Sequence, residues 1–221
     1  MAKKKLFHFE EVKSFPHFFQ PNYDELKDGY SLKGKWSTFF GNDNPITLEV
    51  GAGKAEFSFY LANKYPDRNF IAIDLKGARL WRGAKDSLDL GLKNIAFIRT
   101  HVQQVTNLFA PGEVQEIWIP FPDPQPRQAR ERKRLTSPHL LKRFKMILSS
   151  DHLIHLKTDN RGLYDYTMEI MNEHDHNVHF NTDLLYNSDY EGDVKAVQTF
   201  YEKQFLAQGS PIHYVQFSLK P

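Results

Sequence analysis

From residue 46 onward the chain alternates between two hydrophobic periods, and no other feature restricts its fold as strongly. Short apolar runs recur at 46–50, 69–73, 95–99, 114–119, 152–157, 178–183 and 212–219. Each has the length of a buried strand. Between them lie stretches of helical spacing at 54–65, 78–90, 101–109, 138–149, 163–173 and 194–207. The breaks are local. Pro66-Asp67 stops the first helix, Gly91 caps the second, and Pro138 suits a first helical turn. Strands joined through helices by short links predict a doubly wound, mainly parallel α/β sheet. Residues 1–45 show no clear period. Phe15, Phe18, Phe19, Trp36, Phe39 and Phe40 are scattered there among prolines and glycines. That pattern predicts an N-terminal extension packed on the 46–221 body by aromatic anchors.

The 221 residues suffice for one large core and are few for two independent domains. There is no cysteine, which removes thiolate nucleophiles, disulfides and thiolate-bound metals from consideration. No apolar run approaches the roughly 18 residues of a membrane span. Met1-Ala2-Lys3-Lys4-Lys5 is basic, but His8, Glu10, Glu11 and Lys13 leave no apolar stretch behind it. The expectation is no signal peptide, no membrane partner and a cytoplasmic location. His174, Asp175, His176 and His179 lie close in sequence but without the spacing of a metal-ligand set, so they read as a solvated loop and no metal is expected. No Gly-x-Ser-x-Gly elbow or Ser-His-Asp arrangement is legible.

Ligands of open α/β sheets bind outside the carboxyl ends of the strands, and the polar residues of interest collect there. Glu49-Val50-Gly51-Ala52-Gly53 ends the first strand and Asp74 the second. His101 follows the third, Asp123 the fourth, and Thr158-Asp159 ends the fifth. Gly51 and Gly53 allow backbone to approach a ligand closely, with a helix start behind them. Glu56 stands where a dinucleotide fingerprint needs its third glycine, and no Gly-Lys-Ser/Thr follows. Nicotinamide cofactors are thereby disfavoured, and a nucleotide P-loop is excluded. Asp74 has the spacing of an acid that grips ribose hydroxyls. Glu49 would repel a pyrophosphate but suits a ligand with a cationic end. S-adenosylmethionine carries a sulfonium, an ammonium and a ribose, and fits this set better.

After the fourth strand, Pro120, Pro122, Pro124 and Pro126 stiffen a loop that holds Asp123. Residues 127–145 then carry eight Lys or Arg against Glu131, a net of +7, whereas the whole chain is +2. The rest of the chain therefore sums to about −5 by subtraction. Charge this segregated suits a phosphate-facing patch on a mildly acidic body, with Arg127, Arg130, Arg132, Lys133 and Arg134 nearest the rigid acid.

On these motifs the chain resembles the bacterial tRNA (guanine-N7)-methyltransferases. The matching stretches are Glu49-Val50-Gly51-Ala52-Gly53, Asp74, Phe121-Pro122-Asp123-Pro124-Gln125-Pro126-Arg127, Thr158-Asp159 and Thr199-Phe200-Tyr201-Glu202. They stay in order over about residues 46–205. The resemblance implies a Rossmann-like, seven-stranded methyltransferase sheet with an antiparallel C-terminal strand. It also implies S-adenosylmethionine as cofactor and tRNA as partner. Glu49, Gly51, Gly53, Asp74 and His101 are then the cofactor side. Asp123, Arg127, Asp159, Thr199 and Glu202 are the substrate side, and Arg130, Arg132, Lys133 and Arg134 face RNA backbone. Four positions depart from the family's usual pattern: His101 for Asp, Gln125 for Trp, Arg127 for Lys and Tyr201 for Phe.

The chemistry so implied is methyl transfer to N7 of a variable-loop guanine. N7 has a lone pair and no proton, so placement matters more than a general base. Asp123 is the expected catalytic residue, accepting from the guanine N1–H and 2-amino group. From the residues alone, Thr199 and Glu202 could equally be a helix capping pair. The competing readings are a methyltransferase of another RNA, a protein or a small molecule, and a non-catalytic RNA-binding partner.

Overall fold

The computed structural model describes residues 2–220. For residues 2–5 only the backbone is described, so the side chains of Lys3, Lys4 and Lys5 lie outside the description. In chain order the elements begin with α1 (Ala2–Glu11), β1 (Phe18–Phe19), α2 (Tyr23–Lys27) and α3 (Trp36–Phe40). The alternating body follows as β2 (Ile46–Val50), α4 (Glu56–Lys64), β3 (Asn69–Asp74), α5 (Gly77–Asp89), β4 (Ile95–Arg99), α6 (Val105–Leu108) and β5 (Val114–Pro120). It continues with α7 (Pro138–Lys145), β6 (Leu148–Thr158), α8 (Arg161–Glu173), β7 (Asn177–Thr182), α9 (Asp193–Ala196), α10 (Phe200–Ala207) and β8 (His213–Ser218).

The strands form one sheet in the order β1-β4-β3-β2-β5-β6-β8-β7. All pairings are parallel except those of β8, which runs against both β6 and β7. The doubly wound parallel sheet is as the pattern predicts, and the antiparallel C-terminal strand is as the resemblance implies. The strand count is eight rather than seven. The extra strand is β1, whose Phe18 and Phe19 pair with Phe97 and Ile98. Two residues are too few to display a period, so β1 leaves no sequence signal. A second difference is the helix expected over 194–207, which is broken into α9 and α10. Thr199 begins a new helix there with a reciprocal cap: its side chain accepts from the Glu202 N–H, while Glu202 accepts from the Thr199 N–H.

Strand alternation divides the core into two layers. Ile46, Leu48, Val50, Ile71, Ile73, Ile117 and Ile119 face one side with α2, α3, α7 and α8. Phe70, Ala72, Phe97, Trp118 and Tyr214 face the other with α4 and α5. The N-terminal segment enters both. Trp36 is fully buried in the first layer, stacks on Phe109 and donates its indole N–H to the Leu108 carbonyl. Truncating a buried Trp costs about 3–5 kcal/mol. On the opposite side, the His8 ring lies 3.7 Å above Trp81 of α5, and Glu11 accepts from the Trp81 indole.

The second face also carries buried polar groups. Glu116 accepts from Thr47 and Trp118, pairs with Arg68, and lies 2.9 Å from His155, which in turn contacts the Tyr214 hydroxyl. Burial pushes the Glu116 carboxyl up, but His155, Arg68 and Thr47 outweigh it and hold it near about 2. The network ties β2, β5, β6 and β8 together behind the region where ligands would bind.

Candidate active site

The order of strands reverses between β2 and β5, and a cleft of about 560 Å³ opens at their carboxyl ends. That is the switch-point position for a ligand in an open α/β sheet, at a size that suits a small molecule. Glu49, Gly51, Gly53, Asp74, His101, Asp123 and Thr199 all line it.

The floor is built by the turn after β2. Gly51 and Gly53 have φ of 69° and 58°, the left-handed region that glycine enters without penalty. Ala52 N–H donates to the Ile73 carbonyl, and Gly53 N–H donates to Asp74 Oδ2 at 2.8 Å. Asp74 Oδ1 accepts from Lys76 N–H at 2.6 Å. Two backbone donors thus fix the Asp74 carboxylate, one per oxygen, and each oxygen keeps a lone pair for a ligand hydroxyl. Space for this turn depends on Gly83 of α5. A Cβ there would sit 2.5 Å from the Lys54 carbonyl.

Glu49 lies beneath the turn, 2% exposed. Ser58 donates to its Oε2 from both its N–H and its hydroxyl, at 2.8 and 2.6 Å. Oε1 has no hydrogen bond among the described residues. Burial pushes the Glu49 carboxyl up to about 8, against the pull of Ser58, with Glu56 and Asp74 adding repulsion. A buried carboxyl with one oxygen unbonded, on the wall of a cleft, can take a cationic group, which would favour its ionised form.

The opposite wall is the proline loop. Phe121 N–H donates to the Lys157 carbonyl at 2.7 Å. Phe121 and Gln125 each precede a proline, and both hold positive φ, 50° and 44°. For a residue as bulky as Phe that is a strained backbone held by its surroundings. The Phe121 ring packs against Phe205 of α10. Gln125 N–H donates to Asp123 Oδ1 at 3.1 Å, which orients the carboxylate. Oδ2 has no partner among the described residues, and the side chain is exposed. His101, also exposed, lines the same cleft.

The other residues singled out by the motifs separate. Arg127, Asp159 and Glu202 do not line the cleft. Arg130, Arg132 and Lys133 are exposed on a 3-10 turn, Gln128–Lys133, and Lys133 reaches the cleft rim. Arg134 is drawn inward. It donates to the Gln125 carbonyl and lies 4.2 Å over the Tyr166 ring, so it braces the loop. Glu202 is fully buried. It pairs with Lys157 at 2.6 Å and accepts from the Tyr186 hydroxyl at 2.6 Å. Burial holds Lys157 down to about 8 against the pull of Glu202. Sequence reasoning misses Lys157 and Ser58. Lys157 leaves a signal, as a lysine directly after the run Leu153-Ile154-His155-Leu156 within β6; a single serine leaves none.

Comparison with known proteins gives the family. A family model described as "Putative methyltransferase" matches residues 43–215. A tRNA (guanine-N(7)-)-methyltransferase of Christiangramia forsetii is 46% identical over 222 residues, covering 99% of each chain. The chain belongs to the tRNA (guanine-N7)-methyltransferase family. A more distant relative of the same name, from Bacillus subtilis, is 38% identical over 82% of this chain and 84% of its own. Among solved structures, the 16S rRNA methyltransferase KamB superposes with a TM-score of 0.65 at 13% identity, over 85% of this chain and 94% of that one. A mutant of the 16S rRNA (adenine(1408)-N(1))-methyltransferase from Catenulisporales acidiphilia, solved with cosubstrate SAM, gives 0.61 at 13% identity, over 85% and 92%. These two likenesses concern the fold. Among the described residues no helix is long and apolar enough to cross a membrane, and no three His, Asp or Glu side chains gather as a metal site requires.

Proposed function

We propose that this chain transfers a methyl group from S-adenosylmethionine to N7 of a guanine in the variable loop of tRNA, in the cytoplasm. Residues 46–221 are the transferase domain in this reading, and 1–45 an extension on it. One observation carries the proposal: a single cleft joins a cation-seeking buried acid, Glu49, to a rigid exposed acid, Asp123. The names of its relatives supply the substrate.

Glu49 would hold the cationic end of the methyl donor, and Asp74 the ribose hydroxyls. Gly51 and Gly53 bring backbone against the ligand without side chains in the way, and His101 borders the adenine end. Bound there, S-adenosylmethionine would supply an electrophilic methyl group to which the N7 lone pair donates, the carbon–sulfur electron pair leaving with the sulfur as a neutral thioether. Asp123 accepts from N1–H and the 2-amino group, which turns N7 toward the donor. Adenine lacks that donor pair and would leave the carboxylate unpaired. A charged Asp123 also offsets the positive charge that N7 methylation places on the ring. No side chain has to remove a proton. The exposed Arg127, Arg130, Arg132 and Lys133 would hold phosphates outside the cleft while the base enters it.

The test is Asp123→Ala. Turnover on tRNA is expected to fall at least about 100-fold, with cofactor affinity unchanged. Turnover near that of the wild type would remove Asp123 from the mechanism.

A further inference from the structure

A base extruded from RNA loses its stacking partners, and proteins replace them with aromatic or guanidinium planes. The proline loop offers little of this. Gln125 has no ring, and the Phe121 ring is already packed on Phe205. Among the described residues the cleft also holds the His101 imidazole, beyond the end of β4, and the larger ring of Tyr201, on the first turn of α10. The Tyr201 ring is 42% exposed. The Arg79 guanidinium, from α5 on the cofactor side, stands 5.8 Å from the centre of its ring and lines the same cleft.

The position of Tyr201 is fixed by its neighbours rather than by its own contacts. Thr199 and Glu202 cap the helix reciprocally, and the Lys157–Glu202 pair anchors that turn to β6. Phe200 N–H donates to Glu56 Oε2 at 3.0 Å, joining the start of α10 to the start of α4. Lys54 lies 4.0 Å over the Phe200 ring. The first turn of α10 is therefore held against the cofactor turn, with the Tyr201 ring presented at the mouth.

We infer that Tyr201, with Arg79 beside it, is the surface on which the extruded guanine stacks while Asp123 holds its Watson–Crick edge. The inference rests on the proposed function. Asp123 reads which base is present, and Tyr201 holds the plane of the ring so that N7 meets the methyl group in line.

The experiment compares wild type, Tyr201→Leu and Tyr201→Phe on unmodified tRNA transcripts with methyl-labelled S-adenosylmethionine. Leucine keeps apolar bulk but removes the π-face; phenylalanine restores it. Tyr201→Leu is expected to lose about tenfold to hundredfold in kcat/KM for tRNA, the range measured for base–aromatic stacks. Cofactor affinity and Tm should stay unchanged, and Tyr201→Phe should recover most of the loss. Wild-type kcat/KM in Tyr201→Leu would overturn the inference. An equal loss in both variants would also overturn it, by assigning the effect to the hydroxyl. A wild-type protein that labels no guanine N7 fails at the earlier step and overturns the proposed function along with it.

Discussion

Glu49 and Asp123 are both carboxylates on one cleft, and their surroundings give them different work. Asp123 is exposed on a loop stiffened by prolines, with one oxygen held by the Gln125 N–H. Glu49 is buried, and its carboxyl is pushed up to about 8 from an ordinary value of 4.5. Between those two values the folded protein holds a proton at Glu49 that the unfolded chain would release. Without a ligand, stability contributed by this group therefore falls as pH rises through that window. A cation against Oε1 favours the ionised form, so binding the methyl donor at about pH 6.5, inside that window, should release about one proton. Calorimetry in two buffers of different ionisation enthalpy measures this directly. The two apparent enthalpies should differ by about the difference between the two buffers' ionisation enthalpies, and Glu49→Gln should remove the difference and weaken binding. Equal enthalpies in the wild type would mean that the ligand's cation lies elsewhere.

At the scale of elements, the site depends on where α10 begins. The Lys157–Glu202 pair is fully buried, and Lys157 also donates to the carbonyls of Val194 and Val197. One side chain of β6 thus anchors α9, the link after it and α10. Removing one member of a buried pair leaves an uncompensated charge, at a cost of about 3–5 kcal/mol. Glu202→Gln should lower Tm by on the order of 10 °C. Without Glu202 the Lys157 amine titrates lower still, so the loss should be larger at about pH 6 than at about pH 9. A loss independent of pH would show that the ion pair is not its source. These elements also mark how far the sequence is legible. Parallel strands buried on both faces give continuous apolar runs, and β2 to β6 are recognisable for that reason. The signal at α10 is present as Thr199-x-x-Glu202, but the helical spacing on either side of it masks the break. That signal admits two readings, a substrate pair and a capping pair. The structure shows the cap, with Thr199 on the cleft wall and Glu202 beneath it. The N-terminal segment is opaque for a different reason. Phe18 and Phe19 pair with β4 and Trp36 reaches Leu108 and Phe109, 72 or more positions away, while Phe19, Trp36 and Phe39 pack on one another at irregular spacing, and such contacts leave no local period.

Across the whole molecule, charge and cavity are arranged together. The cationic segment from Arg127 to Lys145 begins directly after the Asp123 loop, so RNA held on it as proposed would lie next to the cleft. Its members are not equivalent. Arg130 and Arg132 are exposed, whereas Arg134 is bound to the Gln125 carbonyl and the Tyr166 ring. Replacing Arg130 and Arg132 together with Ala should weaken tRNA binding. It should also reduce the slope of log affinity against log salt by roughly 1.5, since each neutralised phosphate contributes about 0.7–0.9 to that slope. An unchanged slope would mean that this face does not meet the RNA backbone.

The central claim is that one cleft selects guanine by its Watson–Crick edge and presents N7 to a sulfonium methyl group. The most direct measurement is the identity of the nucleoside made. Purified protein is incubated with unmodified tRNA transcripts and methyl-labelled S-adenosylmethionine, the RNA is digested, and the labelled nucleoside is identified. Label in N7-methylguanosine is the predicted result. Label on any other atom or base, or none despite bound cofactor, would contradict it.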